Sequence, residues 1–170
     1  TSGFVVGVDP DAGNVAAACA AAPKNHWAGA SWDRHLRFFP AIPENLSQAC
    51  IEDGSFDLVY INSVVNLAWS LPVALAEFAR VLTPGGRLWI AQGVFAEDGF
   101  GAQGDIVGES GPIDVFSQAR SCAALERMCL EAGFSSVSFS SISPLVGESL
   151  SDGGCSDGES FYLADACATI

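Results

Sequence analysis

FDLVYINSVVNLAWSLPVALAEFARVLTPGGRLWI, residues 56–90, decides how this chain folds. It begins with a short apolar run that reads as a strand over Asp57–Asn62. A loop through NLAWS then enters a helix, in which Leu75, Phe78, Ala79 and Leu82 recur at the i, i+3, i+4, i+7 spacing of one buried face. TPGG is expected to stop that helix, because Pro84 cannot extend it and Gly85 or Gly86 can take the left-handed cap. The run RLWIAQGVF, 87–95, is the next strand. Thr83–Gly86 is no phosphate loop on this reading, since it follows a helix rather than opening one.

The flanks continue the alternation. Upstream, GFVVGVD (3–9) is an apolar strand that closes on Asp9. Asp11 can cap the alanine-rich helix that follows, which Pro23 ends, and residues 24–33 read as loop. Leu36–Phe39 is a short strand that leads into a proline-broken turn carrying Glu44. Downstream, 97–114 is rich in glycine and acids, the kind of long loop that often covers a site. SQARSCAALERMCLEAGF (117–134) is a second amphipathic helix with Gly133 as its cap. VSFSSI (137–142) alternates as a half-buried strand, 150–160 is a Gly/Ser/Asp turn, and FYLADACATI (161–170) is a last strand, which makes a closing antiparallel hairpin. The order β-α-β-(turn)-β-α-β-α-β-β predicts an α/β fold, a mostly parallel sheet with helices on both faces and an antiparallel edge, in one domain over 1–170.

Composition bounds the function. Hydrophobic residues are 49 % of the 170, enough for a sizeable core. The formal charge is −13, from 7 basic and 20 acidic residues, and Lys24 is the one lysine. Such a surface repels phosphate backbones, which argues against nucleic acid as a partner. No apolar run reaches the length of a membrane span. The six cysteines form no C-x-x-C pair and two histidines complete no zinc spacing, so no metal is expected. Scattered thiols such as Cys19, among alanines, read as small buried hydrophobes kept reduced. The tryptophans Trp27, Trp32, Trp69 and Trp89 read as core or packing residues.

With FDLVYIN, the following helix, RVLTPGG and RLWI in place, the chain resembles a class I S-adenosylmethionine-dependent methyltransferase of Rossmann-like fold. GVDPD, FFPAIPENL and INSVVNL together are most similar to the arsenite methyltransferase branch. The likeness runs from Phe4 to about Phe134. It implies S-adenosylmethionine as cofactor and assigns roles by position. Asp9, ending the family's second strand, would accept the ribose hydroxyls of the cofactor. Glu44 falls beside the adenine position. Asn62, ending the fourth strand, lies where a methyl donor or acceptor is positioned. Each has a plainer reading beside it: Asp9 as a turn acid, Glu44 as a loop acid, Asn62 as a turn residue bonded to its own backbone. Methyl transfer from a sulfonium needs alignment more than acid–base chemistry, so the resemblance names no catalytic residue.

Two departures from the family pattern set further expectations. Arsenite methyltransferases hold the metalloid with thiolates, one just after the fourth strand and one later. Here the first position is Ser63 and the second region reads DVFSQAR, without cysteine. A hydroxyl is a poor ligand for a soft centre, so an acceptor other than arsenite is expected. The family's first strand and its Gly-rich turn have no counterpart in these residues, because the Gly108 and Gly147 fragments follow no strand-to-helix context. That first βα unit would lie centrally, between the strands ending at Asp9 and Asn62. Its place is expected to be taken by a preceding segment, by a strand from a protein partner, or by direct pairing of its two neighbours, and cofactor binding by these residues alone is not expected.

Two functions therefore stand side by side. One is methyl transfer to a small-molecule acceptor. The other is a degenerate, non-catalytic methyltransferase-like subunit of a larger protein complex, organellar or photosynthetic, with peripheral membrane association. Localisation stays open, cytoplasmic or on the soluble side of an organelle.

Overall fold

The computed structural model describes residues 3–22, 35–96, 119–144 and 161–170. The expected loops at 24–33, 97–114 and 150–160 lie outside these residues, as do Pro23, Trp27, Trp32 and Cys155. The rest divides into two compact units, Thr1–Glu52 and Asp53–Ile170.

In the first unit, β1 (Val5–Asp9) pairs in parallel with β2 (Leu36–Pro40), in register from Val5 opposite Leu36 to Asp9 opposite Pro40. The crossover carries α1 (Ala12–Ala21). Asp11 caps it as expected: its Oδ1 accepts from the backbone N–H of Gly13 at 2.7 Å and of Asn14 at 3.0 Å. Beyond β2 a short 3-10 turn, Leu46–Ala49, buries Leu46 and Ala49. The helix α1 buries no residue, and Cys19 is exposed, against the expectation of a buried thiol. The physical reason is the composition of the helix: alanine favours helix through its backbone but offers little side-chain area to bury.

The second unit is a four-stranded mixed sheet. Strand β3 (Phe56–Asn62) leads through a 3-10 turn, Val65–Leu67, into α2 (Leu71–Val81), then β4 (Leu82–Ala96), α3 (Cys122–Glu131), β5 (Ser136–Pro144) and β6 (Phe161–Thr169). The order across the sheet is β3-β4-β6-β5, with β3 and β4 parallel and β6 antiparallel to both of its neighbours. The closing hairpin thus supplies β6 as the strand beside β4 and leaves β5 at the edge. Leu75, Val81, Leu88, Ile90, Leu125 and Cys129 form the fully buried centre. Alternation along β4 sends Leu88 and Ile90 inward, leaving Arg87 and Trp89 outward. Trp89 is 36 % and Trp69 71 % exposed, so of the two readings, core or packing, neither is a core residue.

Two boundaries moved. The helix α2 ends at Val81, not beyond Leu82, which is extended and opens β4 while staying buried. The last carbonyls of α2 are met from outside the helix: Gly54 N–H bonds to Arg80 C=O at 2.9 Å and Ser55 N–H to Val81 C=O at 2.8 Å. TPGG accordingly does not cap the helix. Phe56 faces Leu82 and Leu58 faces Arg87, so Thr83–Gly86 bulge out opposite Asp57, with Gly85 in the left-handed region at φ 80°. Helix α3 starts at Cys122 behind Ser121, whose Oγ accepts from Ala124 N–H. Arg120, expected in the helix, instead bridges Phe95 in parallel. Gly133, at φ 104°, follows α3 as expected.

Strands β1 and β3 belong to different sheets. Val5 pairs with Leu36 and Val59 with Leu88, and no described strand pairs with the second edge of either.

Candidate functional site

Asp9 ends β1, where a carboxylate can face a ligand beyond the carboxyl end of a parallel strand. It is half-buried and well held. Its Oδ1 accepts from Asp11 N–H at 2.8 Å and from Asn14 Nδ2 at 3.2 Å, and its Oδ2 from the same Asn14 amide at 3.3 Å. Its own carbonyl accepts from Ala41 N–H at 3.2 Å, which ties the strand end to the chain leaving β2. Asn14 is a residue the sequence did not single out. It stands one turn into α1 and braces the carboxylate from the helix side. Glu44 lies half-buried in the turn that follows β2, between Ile42 and Asn45, which bridge one another. Asp9 and Glu44 share the first unit, while Asn62 belongs to the second.

Asn62 is exposed at the carboxyl end of β3, opposite Ala91. Ser63 N–H carries the ladder one bond further, to Ala91 C=O at 2.9 Å. Two residues then leave the sheet conformation together: Ser63 sits at φ 58° and Gln92 at φ 52°, both in the left-handed region without being glycine. Their side chains meet. The Ser63 hydroxyl lies 3.2 Å from Gln92 Oε1 and 3.3 Å from Asn62 Oδ1. Ile90 pairs with Ala166 and Gly93 with Ala164, so Ala91 and Gln92 form a bulge opposite Asp165 alone. The N–H of Gln92, lost to the ladder, is recovered by Asp165 Oδ1 at 2.9 Å. Asn62, Ser63, Gln92 and Asp165 thus converge from three adjacent strands. The sequence pointed to Asn62 and Ser63. Gln92 and Asp165 carried no signal, because the pairing that unites them joins residues 73 positions apart.

Below this corner Asn66 is buried, with its amide spanning the backbone of Val94: Nδ2 donates to Val94 C=O at 2.8 Å and Oδ1 accepts from Val94 N–H at 3.0 Å. It fastens the turn after β3 onto β4. A small pocket opens beside it, lined by Val65, Asn66, Trp69, Leu71, Arg120 and Met128 among others.

None of the described cysteines forms a disulfide; Cys19 and Cys50 are exposed and Cys129 is buried. Burial, and secondarily the negative charge of Glu126, push the Cys129 thiol up to about 12, so it is an inert packing group. Among the described residues no cluster of His, Cys, Asp and Glu could hold a metal, and no helix is long and apolar enough to cross a membrane.

The methyltransferase domain family matches residues 1–90, from β1 through the first half of β4, and the chain belongs to that family. It is 34 % identical over 96 residues, 56 % of its length, to an arsenite methyltransferase of Aquipseudomonas alcaligenes, of which it spans 27 %. Among solved structures it is similar to CrArsM, an arsenic(III) S-adenosylmethionine methyltransferase from Chlamydomonas reinhardtii. That match has a TM-score of 0.76 at 23 % identity and covers 97 % of this chain and 55 % of that one. It is also similar to the [4+2]-cyclase SpnF, with a TM-score of 0.62 at 15 % identity over 96 % of this chain and 66 % of that one. At such identities the structural likeness carries the fold alone. The expected class I methyltransferase fold, close to the arsenite branch, is met.

The cofactor of this family is S-adenosylmethionine. At the end of β1 a carboxylate keeps acceptor sites of the kind a diol can use. A carboxylate offers about four lone-pair sites. Asp9 Oδ1 has two acceptor bonds and Oδ2 one long bond, so Oδ2 can take a hydroxyl as it stands. Oδ1 can take a second once the Asn14 amide turns aside.

Proposed function

We propose that this chain contributes to S-adenosylmethionine-dependent methyl transfer onto a small-molecule acceptor. The observation that carries this reading is Asp9: a carboxylate at the carboxyl end of a parallel strand, braced by Asn14 and the N-terminus of α1, with lone pairs left to receive a diol. The bound cofactor would supply an activated methyl on a sulfonium. The chain's own part is to bind and align. Asp9 would hold the ribose and Glu44 would lie beside the adenine. Asn62, at the end of β3, would face the reacting end. For this arrangement the two units would act as one methyltransferase domain, with a further strand on the second edges of β1 and β3, from the same polypeptide or a protein partner. Ser63 argues for an acceptor other than a thiophilic metalloid, since its hydroxyl is a hard donor.

The test is calorimetry with S-adenosylhomocysteine on the protein in its full length, alongside Asp9→Ala. Loss of a charge-assisted pair of hydrogen bonds is expected to weaken binding about a hundredfold or more, since each such bond contributes roughly 1.5–3 kcal/mol. An unchanged affinity would remove the ribose assignment. No binding by the unaltered protein would favour the non-catalytic subunit instead.

A further inference from the structure

We propose that the corner formed by Asn62, Ser63, Gln92 and Asp165 is a recognition site for an amine-bearing small molecule. This deepens the methyl-transfer reading by naming the acceptor class and rests on it for the word acceptor only.

The argument begins with the backbone. A non-glycine residue in the left-handed region is strained, and the bulge position that adopts this conformation is usually given to glycine. Here Gln92 holds the bulge and Ser63 follows the end of the neighbouring strand, at φ 52° and 58°. Neither strain relieves a packing problem, for both side chains are exposed. What the two residues gain by not being glycine is their side-chain oxygens, brought to 3.2 Å of one another. Strain held at the carboxyl ends of parallel strands marks the place where α/β folds bind ligands.

The corner holds more acceptor oxygens than its one hydroxyl hydrogen can serve. Ser63 has one hydroxyl hydrogen within reach of two amide oxygens, Asn62 Oδ1 and Gln92 Oε1, so one of the two is always left to accept from elsewhere. Asp165 accepts the Gln92 N–H at Oδ1 and forms no ion pair among the described residues, which leaves its Oδ2 and its negative charge uncompensated there. An amide oxygen and a carboxylate oxygen together suit a group with several N–H donors and positive charge. A primary ammonium matches this set, whereas an alcohol meets only part of it and an anion is repelled. The protein's net charge of −13 also enriches cations at its surface.

The experiment is an NMR titration of the full-length protein, following the side-chain amide signals of Asn62 and Gln92. The probes are phenethylammonium, 2-phenylethanol and phenylacetate. We expect saturable shifts at both amides with the ammonium, at least fivefold weaker binding of the alcohol, and none of the carboxylate. Asp165→Asn keeps an oxygen for the Gln92 N–H, so the fold should persist while ammonium affinity falls to that of the alcohol. Ser63→Gly and Gln92→Gly should raise the melting temperature yet weaken ammonium binding. Equal binding of ammonium and carboxylate would overturn the proposal, as would an Asp165→Asn or Gln92→Gly variant that binds ammonium like the parent. S-adenosylhomocysteine affinity of Asp165→Asn should equal that of the parent. Failure of the amine titration therefore removes this inference alone, whereas failure of homocysteine-nucleoside binding removes the methyl-transfer reading and leaves the amine site to stand on its own result.

Discussion

Asn66 and Val94 are bound by two hydrogen bonds, side-chain amide to backbone, so that one asparagine takes the place of a neighbouring strand residue. The pair lies buried beside the carboxyl end of β3 and fixes the turn that carries Asn62 and Ser63 toward α2. Removing that amide leaves the N–H and C=O of Val94 without their partner in a place water does not reach. Asn66→Ala is expected to cost about 2–3 kcal/mol in urea unfolding, the scale of an uncompensated buried polar group. Asn66→Asp should be no better, because a carboxylate cannot donate to Val94 C=O. A cost below about 0.5 kcal/mol would show that the turn is not held by this pair.

The bulge at Thr83–Gly86 makes two adjacent glycines unequal. Gly85, at φ 80°, has open space where a Cβ would stand, so Gly85→Ala should cost only the conformational penalty of about 1–2 kcal/mol. At Gly86 a Cβ would lie 2.8 Å from the backbone carbonyl of Thr83 and 3.2 Å from Leu82 Cβ, none of which can swing aside. Gly86→Ala should therefore be the more damaging, up to about 3 kcal/mol, and the order of the two melting temperatures checks it.

Cys129 gives the alkaline limb of stability a sign. Its thiol is raised from 9.0 to about 12 by burial, with Glu126 adding to the effect. The folded state thus holds a proton that the unfolded chain releases first. The stabilisation is complete below pH 9 and is lost as the pH climbs from there toward 12. Cys129→Ala should lower stability at neutral pH by leaving a small cavity, yet show a flatter fall between pH 9 and 11 than the parent. A thiol reagent at pH 8 should label Cys19 and Cys50 in the native protein and reach Cys129 only on unfolding.

Arg80 closes α2 at the end of the sheet away from the proposed site. It pairs with Glu77 and Asp53, both at 2.7 Å, and these hydrogen bonds hold its guanidinium still more firmly protonated than usual. The two partners differ in exposure, 19 % for the Glu77 side chain against 81 % for Asp53. Asp53→Asn should cost no more than about 0.5 kcal/mol and vanish in high salt, whereas Glu77→Gln should cost about 1–2 kcal/mol and persist. Denaturation at two ionic strengths distinguishes them.

Much of this molecule is written locally. Apolar runs bounded by Asp9, Pro40 and Asn62 announce strands because short continuous hydrophobic runs closed by a turn residue favour extended pairing, although none of these three strands buries a residue completely. Asp11 announces a helix start because a cap acts within three residues, whereas Ser121, the cap of α3, lay hidden inside the longer helical run read at 117–134. Positions such as Asp9 and Asn62 could be nominated from the strand ends alone. The helix boundary at Val81 is not legible locally, because its last carbonyls are met by Gly54 and Ser55, from before the preceding strand, and Leu82 then leaves the helix to pair with Phe56.

The sequence by itself determined the order of elements, the parallel βαβ units, the closing hairpin and the family. Those properties follow from periodicity and caps, which act over a few residues. Tertiary structure alone decided that β6 would slip between β4 and β5, that a bulge there would free the N–H of Gln92, and that Asp165 would catch it. It also decided that Ser63 and Gln92 would share one hydrogen across two strands. Each of these depends on register between segments far apart in the chain, and register is set by how side chains pack and which backbone groups find partners, not by any local pattern of residues.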